Sequence, residues 1–533
     1  MRFNTRRARQ LGLVIGIFAL LIALQVWNEY SRAEKEFEQV KADLMAKGEK
    51  LTLAAVTPKP YPTNENGGPL FFAAAADIVH PPSRFRSAGM IVHRETHEWK
   101  KLIPIGEALA STKVKVMPYN GWNNDWVEDM WAEIEPFVES NRDFAESLHQ
   151  TVTNRFITLG YESTDAIRGF LANLAACKGA ITLSKNTVLF DLSRGNRRPA
   201  MAHLTDASEA VAKLRDERRI ITHLIRVSCG AILLEPLWES LQNDGWSDAE
   251  LAALQKQWEH MEFIKPAIPA LEYERVDALE EWKKLRADPE AFWSGRYGTN
   301  LPRADTLFQE AKSKLFQSPG DAFAAFSDSI AIASWKNGTS FSDGKWFIEK
   351  SQIELDALRS RTRMKTWLGG LGASSHTAWI GYFHNIPRSY PFSQCYSPSL
   401  ALFTLKLFAM DTRREIAVTA IALERFRLLH GGFPSDLEKL TPKFLAQNPR
   451  DWMAGSSALR YELLTDGRYR LWSVGDDGVD QGGDTAPFPP RKSTPFLGWD
   501  RALDWVWPIP MLPADREKVV AKLKEEWEKR TLP

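Results

Sequence analysis

The sequence predicts a mainly α-helical protein, on three observations. An uncharged apolar run, Leu11 to Trp27, lies behind four arginines. From about Leu70 to Met410, apolar residues recur mostly at three- and four-residue steps, the spacing of one helix face. Only after Met410 does a short stretch alternate as strands do. The expected divisions are a basic tail and transmembrane anchor (1–30), a juxtamembrane helix and linker (31–69), an irregular helical body (70–410), a small α+β module (411–490), and a Pro- and Trp-rich tail with a terminal helix (491–533).

Composition sets the bounds. A chain of 533 residues allows about two to four domains. Hydrophobic content of 44% and charged content of 25% are ordinary for a chain that buries a core. Lys+Arg 68 against Asp+Glu 67 leaves no basic surplus, which argues against nucleic acid as a partner. The cysteines Cys177, Cys229 and Cys395 lie far apart without a CxxC pair, which excludes zinc-ribbon and thioredoxin-type sites. In an oxidising compartment they allow one disulfide and leave one thiol over; the plainer reading is three small buried hydrophobes. The 20 tryptophans imply large core anchors or stacking surfaces for a ligand.

Leu11 to Trp27 reads LGLVIGIFALLIALQVW, with Gln25 its one polar residue. That length is near the ~17-residue minimum for a spanning helix. Arg2, Arg6, Arg7 and Arg9 precede it, so the N-terminus is expected in the cytoplasm and the bulk outside it, with the chain single-pass in the inner (cytoplasmic) membrane. A cleavable signal is the rival, but Gln25 to Tyr30 is bulky and offers no small-residue cleavage site. Ser31 to Lys50 carries Ala33, Phe37, Val40, Leu44 and Met45 on a helical spacing, and Thr57 to Pro69 reads as a linker. Within the body, Leu204 to Leu241 is long and helical with few breakers before Pro236. Asp248 to Ile264 is a helix capped by Ser247, and Asp277 to Arg286 and Asp305 to Phe316 are further helices. Ile181 to Leu192 is mixed enough to suggest short strands. Asp411 to Leu429 is a strong helix ended by His430-Gly431-Gly432 and Pro434, and Ser435 is expected to cap a short helix, Asp436 to Leu440. Ala458 to Leu464 and Arg468 to Val474 form a hairpin through Thr465-Asp466-Gly467.

Three segments carry candidate chemistry. His93 and His97 in HRETH stand one helical turn apart, as a metal needs, although no third ligand is indicated. Gly121 to Trp131 clusters Trp122, Trp126 and Trp131 with Asp125, Glu128 and Asp129. Trp122, Trp126, Asp125 and Glu128 suit a sugar, whose apolar face stacks on a ring while carboxylates hold hydroxyls; alternatively the three rings anchor a helix into the core. After the second strand, Ser473, Asp476, Asp477, Asp480 and Asp484 lie in or beside GDDGVDQGGD, whose glycines let a loop fold around calcium. A solvated acidic turn is the alternative there. Gly338 to Lys345, GTSFSDGK, is spaced wrongly for a phosphate loop and reads as a surface turn.

The run AVTAIALERFRLLHGGFPSDLEKL, then RYELL, then YRLWSVGDDGVDQGGD resembles the globular part of the major pseudopilin of type II secretion, over about one seventh of the chain. In that family the loop after a similar strand binds calcium, so the resemblance implies the same for this one. The departures matter. In a pseudopilin this unit follows directly on a processed membrane helix, whereas here about 400 residues intervene and the Gly-Phe-Thr-Leu-x-Glu processing signal is missing. The whole chain also resembles large bacterial envelope proteins that combine an anchor, a helical body and such a unit, a resemblance that brings no activity. The expected function is therefore a membrane-anchored extracytoplasmic scaffold or binding protein, with an envelope protein or glycan as partner. The alternative is an envelope enzyme acting on glycans through the Trp- and carboxylate-rich segment.

Overall fold

A computed structural model describes residues 5–57, 62–78, 91–92, 102–103, 130–158, 167–243, 245–288, 335–361, 390–484 and 504–508. The protein is mainly helical, with small antiparallel sheets, of which the larger is near the C-terminus. It forms two compact units assembled from separated segments. One comprises Met1–Pro58, Leu271–Asp356 and Ile380–Leu402; the other comprises Lys59–Ala270, Ala357–Trp379 and Phe403–Pro533.

The first unit begins with α1 (Thr5–Ala46), one unbroken helix. Its two halves differ. Ile17, Leu24 and Trp27 are 52%, 56% and 70% exposed, whereas Phe37 and Leu44 are buried. Phe37 packs on Trp282 of α9 (Ile264–Ala287), with ring centroids 4.8 Å apart, and both meet Phe341 of α10 (Ser340–Ser360). Arg286 lies 3.8 Å over the Phe341 ring and donates to the Tyr30 hydroxyl at 2.6 Å, so a cation closes the aromatic cluster. Gly48 at φ +88° ends α1, with Gly48 N donating to Met45 O and Glu49 N to Leu44 O, the paired closing bonds of a glycine-terminated helix. That turn delivers Glu49 to the fully buried Arg275 at 3.0 Å. Arg275 also donates to Gln352 and to the Lys50 carbonyl.

GTSFSDGK is no surface turn. Trp335–Thr339 forms a π-helical turn leading into α10, and Ser340, Phe341, Asp343 and Gly344 are all buried. A Cβ on Gly344 would stand 2.9 Å from Trp282 and 3.0 Å from Phe37, so the glycine is there for close approach. Asp343 accepts from Trp335 Nε1 (2.8 Å), Phe392 N (3.0 Å) and Ser393 N (2.9 Å), and so caps the first turn of α11 (Pro391–His430) with a carboxylate.

The second unit holds a bundle. Its helices are α2 (Gly68–Ala76), α3 (Met130–Ser140), α4 (Arg142–Thr153), α5 (Ile167–Ser193), α6 (Arg197–Lys213), α7 (Ile220–Leu241) and α8 (Asp248–His260). The sequence reading of 57–69 as linker fails at its end. Pro69 sits in the first turn of α2, where its missing N–H costs nothing, and Asn66 Oδ1 accepts from Gly68 N and Thr158 N. Ile181 to Leu192 is helix, not strand. It is buried nearly all round within α5, and Ser184 and Thr187 donate to the carbonyls four residues back, so burial overrides their β preference. The expected continuous helix over 204–241 breaks at a 3₁₀ turn, Leu214–Asp216, into α6 and α7.

α7, at mean hydropathy 1.5, is long and apolar enough to cross a membrane by length and composition. Its fully buried His223, Arg226, Leu233 and Leu237 identify it as a core helix packed against α5 and α6. Ser247 caps α8, as expected; the structure adds the reciprocal bond from Glu250, and the helix ends at His260. The predicted 411–429 helix is the second half of α11, with Ile416, Ala420 and Leu423 wholly buried and Gly431 at φ +77° ending it. The following turn Leu437–Leu440 is capped by Asp436, whose side chain accepts from Lys439 N; Ser435 instead donates to Asp436. The segment Asp305 to Phe316 lies outside the described residues.

Candidate functional site

The C-terminal sheet carries the loop that the sequence singled out. β5 (Arg460–Leu463) pairs antiparallel with β6 (Tyr469–Ser473), Arg460 opposite Trp472, and the predicted hairpin turn closes with Gly467 at φ +80°. β6 is a central strand. Its other edge is taken by β7 (Trp505–Val506), contributed by the Pro- and Trp-rich tail, with Ser473 opposite Trp505. Both faces are covered at the Ser473 end, so Trp472 is buried as well as Leu471, whereas Leu463 at the far end is exposed. Strict alternation therefore holds for neither strand.

Three carboxylates organise the loop after β6. Asp451, in β3 (Arg450–Asp451), accepts from Met453 N (3.0 Å), Ser473 Oγ (2.9 Å) and Val474 N (3.0 Å). Asp480 accepts from Trp472 Nε1 (3.1 Å), Gly482 N (3.1 Å) and Arg460 Nε (3.1 Å). Asp504 accepts on one oxygen from Gln481 N (3.0 Å), Gly483 N (2.8 Å) and Asp484 N (3.1 Å). Gly482 and Gly483, at φ +70° and +79°, let these successive amides converge. Burial pushes Asp451 up, and Asp504 up to about 6, against the pull of their amide donors. Asp480 is held low: burial opposes this, and Trp472, Gly482 and Arg460 together outweigh it.

This geometry has a definite polarity. Calcium takes six to eight oxygens, and a loop built for it turns carbonyls inward. Here the loop turns N–H groups inward, and the Asp504 carboxylate fills the nest they form. The Ser473 hydroxyl donates to Asp451, and Asp477 accepts from Val479 N and the Gln481 amide. Among the described residues no group of three or more His, Cys, Asp or Glu side chains is placed to hold a metal ion, and Ser473, Asp476, Asp477, Asp480 and Asp484 lie in or beside this loop.

A second group of titratable side chains was not anticipated. α4, α5 and α6 bring together Arg142, His149, Asp191, His203 and Asp206. His149 Nδ1 lies 3.1 Å from Asp206 Oδ2. Burial raises Asp191 and Asp206, while it lowers His203, which both carboxylates oppose. The group runs from the exposed His149 to the buried Asp191. His203 and Asp206, three apart on α6, are the one local signal that sequence offered; His149 and Asp191 join them only through helix packing.

The HRETH pair His93 and His97 lies outside the described residues, as do Trp122, Asp125, Trp126, Glu128 and Asp129; for Trp131 the backbone alone is described, in the first turn of α3. Sequence reasoning missed Asp451 and Asp504, because the donors that tie them to the loop, Ser473 and Val474 for the one and Gln481, Gly483 and Asp484 for the other, lie about twenty residues away. No protein family, curated protein or solved structure matches the chain.

Proposed function

We propose that this protein is a single-pass, membrane-anchored component of the cell envelope, with its N-terminus in the cytoplasm and its bulk outside, which scaffolds or binds rather than catalyses. The observation that carries this reading is the division of α1. Over Leu11 to Trp27 the sequence is apolar, and its Ile17, Leu24 and Trp27 side chains face outward, whereas from Phe37 onward the same helix is packed against Trp282 and Phe341. Outward-facing apolar side chains such as these three are costly in water and favourable in hydrocarbon. The arginines on one side set the orientation. The buried carboxylates Asp343 and Asp451 are each saturated by donors from the fold itself, as in structural knots. We further propose that the module 411–490 is pseudopilin-like. α11 leading through a glycine stop to the β5–β6 hairpin and its acidic loop supports that reading.

The test is a fusion series. A reporter active only outside the cytoplasm, joined after Pro533, is expected to be active, and removal of residues 5–30 is expected to release the chain from the membrane fraction. A cytoplasmic reporter active at the same junction, or a truncated chain that stays with membranes in alkaline carbonate, overturns the proposal.

A further inference from the structure

Three helices of the first unit lie side by side, and their side-chain contacts fix their directions. Along α1, Tyr30 meets Arg286 at 2.6 Å, Phe37 meets Trp282 with ring centroids 4.8 Å apart, and Glu49 meets Arg275 at 3.0 Å, so α9 runs antiparallel to α1. Tyr30 also meets Phe341 with centroids 5.1 Å apart, Glu36 meets Lys345 at 2.8 Å and Glu49 meets Gln352 at 3.0 Å, so α10 runs parallel to α1. The end of α9 and the start of α10 therefore lie together, level with Tyr30. Lys336, in the π-helical turn before α10, joins them by donating to the Ala287 carbonyl at 3.3 Å. Because α1 is unbroken, distance along it follows from the helical rise. Tyr30 stands three residues beyond Trp27, where the apolar run ends, which is ~4.5 Å. The headgroup layer on one side of a bilayer is ~5–8 Å deep, half of the thickness that lies outside the hydrocarbon core.

We propose that this end of the first unit sits in the lipid headgroup layer, with no stalk between it and the bilayer, and that Arg32 and Lys336 meet lipid phosphates there. The proposal rests on the membrane-anchored reading given above. A helix that keeps Leu11 to Trp27 in hydrocarbon carries Tyr30, Arg286 and Lys336 at headgroup depth. The residue types suit that depth, since Trp and Tyr favour the membrane interface, with an apolar ring on one side and a polar tip on the other. Trp27 is 70% exposed, so its ring is open to lipid. Arg286 is committed to the Tyr30 hydroxyl and the Phe341 ring, so it braces the unit against α1. Arg32 is freer: its side chain is 77% exposed and lies 3.5 Å from Glu36. At this level Arg32, Arg286 and Lys336 stand against Glu29 and Asp288, three cations to two anions. That small surplus suits the phosphate of any phospholipid and favours an anionic one. The opposite end of α1 is out of reach, because Lys47 lies twenty residues beyond Trp27, which is ~30 Å.

Depth is measured by fluorescence quenching in the full chain. Cys395→Ser is the background, since Cys177 and Cys229 are buried. Ile17→Cys, Asn337→Cys and Lys47→Cys each carry a fluorophore, and the chain is reconstituted into phosphatidylcholine vesicles. Some of the lipids bear a nitroxide, either on the headgroup or deep on the acyl chain. The label at 17 is expected to be quenched by the acyl-chain nitroxide. The label at 337 is expected to be quenched by the headgroup nitroxide on the order of fivefold more than the label at 47, because ~30 Å of helix separates the two levels. A label at 17 that the acyl-chain nitroxide does not reach overturns the anchored reading and this proposal together. A quenched label at 17 with labels at 337 and 47 that respond alike leaves the anchor standing and overturns this proposal alone. The phosphate contacts have their own arm. Phosphatidylglycerol added to the full chain in a sugar detergent is expected to raise the thermal midpoint, and to raise that of Arg32→Ala/Lys336→Ala by less than half as much. No rise in wild type, or an equal rise in the variant, overturns those contacts.

Discussion

Replacing Asp343 by alanine tests whether a single buried carboxylate ties the first unit together. The substitution strips the acceptor from three donors, Trp335 Nε1, Phe392 N and Ser393 N, in a place where Asp343 itself is fully buried. A buried donor left without a partner costs ~1–3 kcal/mol, so the gross loss is ~3–9 kcal/mol. Against this stands the cost of burying the charge. Burial lifts Asp343 from 3.8 to about 6 despite the Ser393, Trp335 and Phe392 donors, a rise worth ~3 kcal/mol at neutral pH. The net expectation for Asp343→Ala is therefore a destabilisation of ~0–6 kcal/mol at neutral pH, centred near ~3 kcal/mol. The folded value lies above the unfolded one, so the native state holds this proton more tightly. The group's contribution is full below pH about 4 and is lost as pH rises through about 6. The gap between wild type and Asp343→Ala should accordingly widen, by ~2 kcal/mol, from pH about 7.5 to pH about 4.5. Urea unfolding in detergent, followed by tryptophan fluorescence at both pH values, measures it. A destabilisation below ~1 kcal/mol at pH about 4.5, or a gap that narrows on acidification, would refute the reasoning.

Gly344→Ala should cost ~1–3 kcal/mol by forcing a methyl against the Trp282 and Phe37 rings, and a thermal midpoint equal to wild type would count against that contact. Asp451→Ala leaves Met453 N, Val474 N and the Ser473 hydroxyl without their acceptor, and a loss of ~2–4 kcal/mol is expected, read as earlier proteolysis of the 436–484 segment than in wild type. Because the loop's amides already converge on Asp504, and Asp480 is engaged by Trp472 and Arg460, millimolar calcium should leave the thermal midpoint where chelator leaves it; a rise that Asp477→Ala/Asp480→Ala removes would restore the calcium site. Replacing Arg2, Arg6, Arg7 and Arg9 with glutamate should mix the orientations of a reporter joined after Pro533, and an unaltered reporter signal would show that these charges do not set topology.

Periodicity was enough to read α8 with its Ser247 cap, the second half of α11 with its glycine stop, and the β5–β6 hairpin around Thr465-Asp466-Gly467. These depend on spacing and on local capping or turn chemistry, both of which act within a few residues. Reading failed where a segment is buried on several sides. Ile181 to Leu192 lost its helical signature because almost every position faces protein, and GTSFSDGK looked like a turn because its small and polar residues serve Trp282, Phe37 and the start of α11 from inside. Cap identity slipped by one residue at Asp436 for a smaller reason, since Ser435 and Asp436 are both good caps and only backbone angles choose between them.

What the sequence determined alone is the helical class, the apolar run with its one-sided arginines, and the acidic glycine loop, because each is a property of neighbouring residues. Tertiary structure decided the partners. It took β7 from a tail that reads as irregular, and gave Ser473 to Asp451 and the loop amides to Asp504. It also set Arg275 against Glu49. Each of these pairs joins residues twenty or more positions apart. Their meeting follows from how whole helices and strands pack to bury apolar surface, and no local pattern encodes that.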